Sequence, residues 1–160
     1  RYSTALKTRL GCQSSAAYTV AADMLEWFKR EVGLPAGGET GGSEWARLVE
    51  LGARSPAGSN GVCFLPHMSG SFCPVLDPAS AGAFVGLRSF VQRGDLFRAI
   101  IEGLNYQFLD IARGFERVLG LTNDRIVAIG GPTKNRLWMQ VKADVSGLAV
   151  EVPVDRKSVV

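Results

Sequence analysis

Residues 126–147 read IVAIGGPTKNRLWMQVKADVSG. An apolar, strand-like run gives way to Gly130, Gly131 and Pro132, and a stretch of helical character follows. The pattern predicts a strand over 125–129, a helix over 135–145 and a second strand over 148–154. Strand, turn, helix and strand in that order point to an α/β domain. In such domains ligands sit outside the carboxyl ends of strands, where loops open into helices. The glycine pair occupies that place.

Two readings of the pair stand side by side. Without a Cβ, the backbone can come into contact with a ligand, and the helix beyond it offers unpaired N–H groups and a positive dipole end. Pro132 would fix the helix entry. Asn135 would bring an amide, able both to donate and to accept, to a nucleobase or ribose. Against this, glycines often do no more than close a strand onto a helix, and GGPTKN is not the phosphate-loop pattern. From these residues alone the plain turn is the simpler choice.

Working outward, residues 2–10 suit a strand or a strand-edge loop, and 16–32 have helical period. Val20, Met24, Trp27 and Phe28 form one stripe there, with most charges opposite. Gly33 and Pro35 end that helix, and a glycine-rich linker over 36–42 follows. Ser43 is placed to cap a short helix over 44–53 that turns Trp45, Leu48 and Val49 inward. Residues 62–65 read as a buried strand and 66–82 as loop. The longest helical pattern runs from Asp95 to about Leu119, with Gly120 as its stop.

A chain of 160 residues suits one domain or one lobe of something larger. Its 18 basic and 15 acidic residues are spread without like-charge blocks, so neither nucleic acid nor an anionic membrane is implied. No apolar run approaches the roughly 20 residues of a membrane span. Cys12, Cys63 and Cys73 lack metal-ligand spacing and read as small buried hydrophobes in a reducing compartment. The chain opens on Arg1 and closes on Val160 beside a strand pattern, and is expected to be cut at both ends.

Catalytic constellations are absent from the pattern. His67 has no second histidine or adjacent acid, so loop packing or one polar contact is expected of it. No G-x-S-x-G elbow accompanies Ser69 and Ser71. Asp95 suits the start of a helix, Glu102 is expected as a buried polar contact between lobes, and Asp110 as solvated.

Three segments together resemble the carboxy-terminal lobe of the FGGY carbohydrate kinases, the sugar and polyol kinases related to glycerol kinase and xylulokinase. Phe64-Leu65-Pro66-His67-Met68-Ser69-Gly70 is similar to the family's Phe-Leu-Pro-Tyr-Leu-x-Gly segment. Gly82-Ala83-Phe84-Val85-Gly86-Leu87, seven residues, then Asp95-Leu96-Phe97-Arg98-Ala99-Ile100-Ile101-Glu102-Gly103 resembles the second family signature. The opening stretch resembles the Gly-Gly-(Gly or Ala) adenosine motif, with Trp138, Gln140, Ala143-Asp144 and Gly147 in the usual order. Departures are Pro132 for Gly or Ala, Gly70-Ser71-Phe72 for Gly-Glu-Arg, and Ser80-Ala81-Gly82 for Ala-Arg-Gly.

The resemblance implies an α/β, ribonuclease-H-like lobe of the actin, hexokinase and sugar-kinase type, a mixed sheet with flanking helices, spanning residues 1–160. It implies ATP with Mg²⁺ and a small sugar or polyol as ligands, the amino-terminal lobe of the same enzyme as partner, and a cytoplasmic location. Gly130, Gly131, Pro132 and Asn135 would contact adenosine, and Tyr18 and Thr19 would reach toward the sugar cleft. The general-base aspartate and the Mg²⁺ ligands would lie upstream of residue 1. An exposed inter-lobe face would favour association, including homo-oligomers. The alternative is a stand-alone, non-catalytic nucleotide-binding or interaction module.

Overall fold

Glycines set how closely helix and strand approach each other in this protein. A Cβ on Gly103 would lie 3.2 Å from the Phe64 carbonyl carbon, and one on Gly94 would meet the backbone of Leu51. The computed structural model describes residues 2–8, 13–18, 21–33, 43–120 and 122–153. The chain divides into two compact units, Arg1–Thr19 with Asn105–Val160, and Val20–Leu104.

The first unit is built on a four-stranded sheet in the order β2-β1-β5-β6. Its strands are β1 (Tyr2–Thr8), β2 (Gln13–Tyr18), β5 (Asn123–Ala128) and β6 (Ala149–Glu151). β1 runs antiparallel to both β2 and β5, while β6 runs parallel to β5. The parallel pair is joined by helix α4 (Arg136–Ser146), as a parallel connection requires. Ile126, Val127 and Ala128 are all buried, the continuous apolar run of a strand covered on both faces. Phe108, Ala112 and Ile126 form a core cluster with Leu148 and Val150 against it.

The second unit packs α1 (Ala21–Val32), α2 (Glu44–Arg54), the hairpin of β3 (Cys63–Leu65) and β4 (Ala83–Val85), and the first part of α3 (Arg93–Leu119). Phe97 is fully buried, with its ring centroid 5.9 Å from that of Phe28 and 6.5 Å from that of Trp45. Phe64 and Phe84 pair across the hairpin at 4.7 Å. Ser43 caps α2 as expected, its Oγ accepting Ala46 N–H at 3.2 Å. Gly120 ends α3 at φ +64°. No helix among the described residues is long and apolar enough to cross a membrane.

Several expectations are corrected. Residues 16–18 belong to β2 rather than to the first helix, which starts at Ala21. Ala16 and Ala17 pair with Thr4 and Ser3, and sheet hydrogen bonding overrides the helical preference of alanine. Val20, placed on the helical stripe, lies outside the described residues. β4 falls inside the signature segment and is too short to show a period. The 62–65 strand is only half-buried, because Val62 and Phe64 point inward while Cys63 and Leu65 are exposed. Cys63 and Cys73 are therefore exposed thiols and not core hydrophobes; Cys12 lies outside the described residues.

Candidate functional site

At the carboxyl end of β5 the chain leaves the sheet through Gly130, whose φ of +94° and ψ of −170° form a combination open essentially to glycine alone. A 3-10 turn over Gly131–Lys134 follows, with Pro132 in its first positions, where a missing N–H costs nothing. The departure from the family's Gly or Ala is thus compatible with the turn. Thr133 closes it from below. Its Oγ1 donates to Gly130 O at 2.6 Å, and its N–H donates to the same oxygen at 3.2 Å.

Asn135 then caps α4, its Oδ1 accepting Trp138 N–H at 3.1 Å. Its own N–H donates to Pro132 O at 3.0 Å, and its carbonyl accepts Met139 N–H at 3.1 Å. Trp138 and Val141 bury the inner face of α4, and Gly147 ends it at φ +69°. Gly130 and Gly131 remain exposed, so the bare backbone faces outward from the end of the strand. The glycine pair, Pro132 and Asn135 are therefore brought together in one turn.

Tyr18 stands elsewhere on the same sheet. It pairs with Tyr2 at the end of β1 that also lies beside the end of β5, where Thr4 pairs with Ala128. Its backbone thus lies at the same end of the sheet as Gly130, two strands away, or about 10 Å by strand spacing. Thr19 lies outside the described residues.

The acids play other parts than a site would need. Asp95 is buried and accepts from Ser55 Oγ at 2.6 Å, Asn60 Nδ2 at 2.9 Å and Gln92 N–H at 2.8 Å. Burial pushes its carboxyl up, but the hydrogen bonds from Ser55, Gln92 and Asn60 together outweigh that and hold it below the usual 3.8. Glu102, expected as a contact between lobes, is instead bound inside its own unit. It accepts from Gly58 N–H, Ser59 Oγ and Arg98 Nε at 3.1, 2.9 and 2.7 Å. These bonds pin a loop in which Ser59 and Asn60 both take positive φ, near +50°. Asp110 is exposed, as expected. The His67 side chain makes one polar contact among the described residues, Nδ1 to Ser80 Oγ at 2.7 Å. Among the described residues no group of three His, Cys, Asp or Glu could hold a metal ion.

Sequence reasoning missed two residues here. Thr133 could have been suspected only from a hydroxyl placed three residues after Gly130. Lys142, on the buried face of α4, gave no signal, because lysine at a core position contradicts the helical pattern around it. It is 7% exposed, and its Nζ sits 4.0 Å from the Phe108 ring centroid. Burial lowers its pKa from 10.5 to about 8.

A family model described as "FGGY family of carbohydrate kinases, C-terminal domain" matches residues 12–160. The chain belongs to that family. Among curated relatives, the xylulose kinase of Staphylococcus epidermidis is 33% identical over 104 residues, 65% of this chain and 21% of that protein. The glycerol kinase of a Nostoc species is 35% identical over 115 residues, 72% of this chain and 23% of that protein. The crystal structure of xylulose kinase from Rhodospirillum rubrum superposes on 88% of this FGGY domain and 26% of its own chain, with TM-score 0.73 and 31% identity. Plasmodium falciparum glycerol kinase, solved with ADP, covers 91% of the domain and 27% of its own chain at TM-score 0.77; at 19% identity it speaks for the fold alone. The chain spans about a fifth to a quarter of the length of these relatives. The fold is the expected α/β one of the sugar-kinase ATPases, with a mixed sheet and helices.

Proposed function

We propose that this chain is the nucleotide-facing carboxy-terminal lobe of an ATP-dependent kinase that moves the γ-phosphoryl group of MgATP to a hydroxyl of a small sugar or polyol. One observation carries the reading. In a chain of the FGGY family, Gly130 is held in a glycine-only conformation, exposed, between the end of β5 and the capped start of α4. Backbone without a Cβ at that point leaves room for a nucleoside to lie against Gly131 and Pro132, with Asn135 beside it. Tyr18 and Thr19 are assigned to the sugar side, and the place of Tyr18 at the same end of the sheet supports this.

Phosphoryl transfer rests on positioning and on charge stabilisation around the γ-phosphate. Asp95 and Glu102, the buried carboxylates of this lobe, are held by internal hydrogen bonds and are not available as a base. The general base is therefore assigned to an aspartate outside these residues, on an amino-terminal lobe that closes over this one. The turn would suit a nucleoside, and among the described residues no acid cluster is placed to hold Mg²⁺. The names of the relatives, xylulose kinase and glycerol kinase, support a sugar or polyol as the acceptor. Exposed Cys63 and Cys73 suit the reducing cytoplasm.

The test is a sugar and polyol panel with the full-length protein, read by ADP release, with Gly131→Val alongside. A side chain at that position is expected to raise the KM for ATP about tenfold, equivalent to ~1.4 kcal/mol of lost binding. An unchanged KM refutes the assignment of the turn. No ADP release with any sugar, from a protein that still binds ATP, would leave the non-catalytic module.

A further inference from the structure

The hairpin of β3 and β4 departs from the pattern of a sheet with one wet face. Its inward side chains, Phe64 and Phe84, pair with each other, and Phe64 lies against Gly103 of α3. The outward positions are Cys63 and Leu65 on β3, with Val85 and Ala83 opposite them. All four are exposed, and none carries a charge, an amide or a hydroxyl. An antiparallel pair with one face in water alternates apolar and polar residues, so this outer face has the composition of a covered one. Met68 extends it beside Ala83, where a Cβ on Gly82 would meet its Sδ at 2.6 Å. The loop between the strands holds a second apolar feature. Ser71 and Asp77 exchange backbone hydrogen bonds of 2.8 Å in both directions, and Ser71 Oγ donates to Val75 O at 2.7 Å. The turn closed by these bonds presents Phe72, Val75 and Leu76 to solvent, each 63% exposed or more. It is an ordered apolar knob. Knob and sheet face are both exposed in one chain, so neither covers the other.

We propose that these two features join two copies of the protein about a twofold axis. The 72–76 knob of one copy seats on the outer β3–β4 face of the other, and the same rotation makes the reverse contact, as a self-complementary interface requires. From the exposed fractions of these side chains, each copy offers an apolar area on the order of 700 Å². That exceeds the roughly 300–600 Å² of the largest patch on a typical monomer and approaches the about 800 Å² that each partner buries in a stable complex. Charge agrees with a second copy. Between Cys63 and Gln92 the sequence has one acid, Asp77, and one base, Arg88, so a copy meeting itself opposes no block of like charge. An amino-terminal lobe is the poorer occupant, because lobes that open and close on a substrate share polar, transient contacts. A face this apolar suits a permanent one.

Sedimentation of the full-length protein at micromolar concentration is expected to give a dimer. Leu76→Glu puts a charge on the knob, and Val85→Lys puts the opposite charge on the face. Both positions are exposed in the single copy, so each variant is expected to keep the wild-type circular dichroism and to sediment as a monomer. Mixing the two variants is expected to restore a dimer. One of its two contacts then pairs the introduced carboxylate with the introduced ammonium, and the other is wild type on both sides. A monomeric wild type overturns the proposal, because another part of the chain or nothing at all then covers the face. A dimer that both variants leave intact overturns it too, as does a mixture of folded variants that stays monomeric. Hydrogen exchange in the wild type decides the matter if a variant does not fold. Protection of peptides over 71–77 and 83–90 is expected to track the dimer fraction on dilution, and protection that does not follow the dimer overturns the proposed seating.

Discussion

Replacing Lys142 with Met removes a buried charge while keeping most of the side chain's length and apolar volume. Two effects oppose each other. Burial holds the Lys142 pKa at about 8 instead of 10.5, and at about 1.4 kcal/mol per pH unit this caps the cost of the buried ammonium near ~3 kcal/mol. The Phe108 ring, 4.0 Å away, returns part of that by attraction to its face, about 1–2 kcal/mol for a desolvated cation. No carboxylate among the described residues lies in ion-pair range of Lys142 to return more. The desolvation cost wins. Lys142→Met is expected to stabilise the protein by about 1–2 kcal/mol at pH 7, or a few degrees in unfolding temperature.

The pH dependence follows from the same numbers. With the folded-state pKa below the unfolded one, the unfolded chain binds more protons between about pH 8 and 10.5. The wild type therefore pays the full cost below pH 8, gains stability through that window, and pays none above it. The advantage of Lys142→Met should be constant from pH 6 to 8 and shrink toward pH 10.5. Urea unfolding of both proteins at pH 7 and pH 10 measures the difference, and other alkaline titrations cancel in the comparison. A Met variant that is less stable at pH 7, or a gap that does not narrow with pH, would refute the argument. Either result would mean that the ring outweighs desolvation or that water reaches Nζ.

Gly103→Ala tests the approach of α3 to β3. Alanine favours the helix by about 1 kcal/mol, but its Cβ would be driven into the backbone of Phe64, and overpacking of about 1–3 kcal/mol should win and lower the unfolding midpoint. Asp95→Asn removes the charge that takes bonds from Ser55, Asn60 and Gln92, at an expected cost of about 2 kcal/mol at pH 7. Because the folded-state pKa of Asp95 is depressed, its contribution is present above pH 3.8 and lost as pH falls through the folded value. Acid titration of unfolding should accordingly show the wild type and Asp95→Asn converging at low pH, and parallel curves would contradict it.

Local signals carried much of the fold. The cap at Ser43, the period of α3 and the strand, turn and helix around Gly130 all depend on residues within a turn or two of each other, and each appears where its spacing places it. The turn at the candidate site was legible to the same depth. A strand that ends in bare backbone before a helix is written in consecutive residues, and the family resemblance is what made Gly130, Gly131, Pro132 and Asn135 candidate nucleoside contacts.

What sequence alone could not supply depends on partners far along the chain. Ala16 and Ala17 are strand because β1 lies beside them, and β4 is strand because β3 does. Asp95 and Glu102 read as a dipole acid and an inter-lobe contact, until a loop some 40 residues upstream brought Ser55, Gly58, Ser59 and Asn60 to them. The identity of an amide is in the sequence, but its direction is not. Sequence determined that Asn135 stands at the start of α4 beside a glycine turn. Only the folded helix, with Trp138 N–H in need of an acceptor, decided that the side-chain oxygen turns to the helix and caps it.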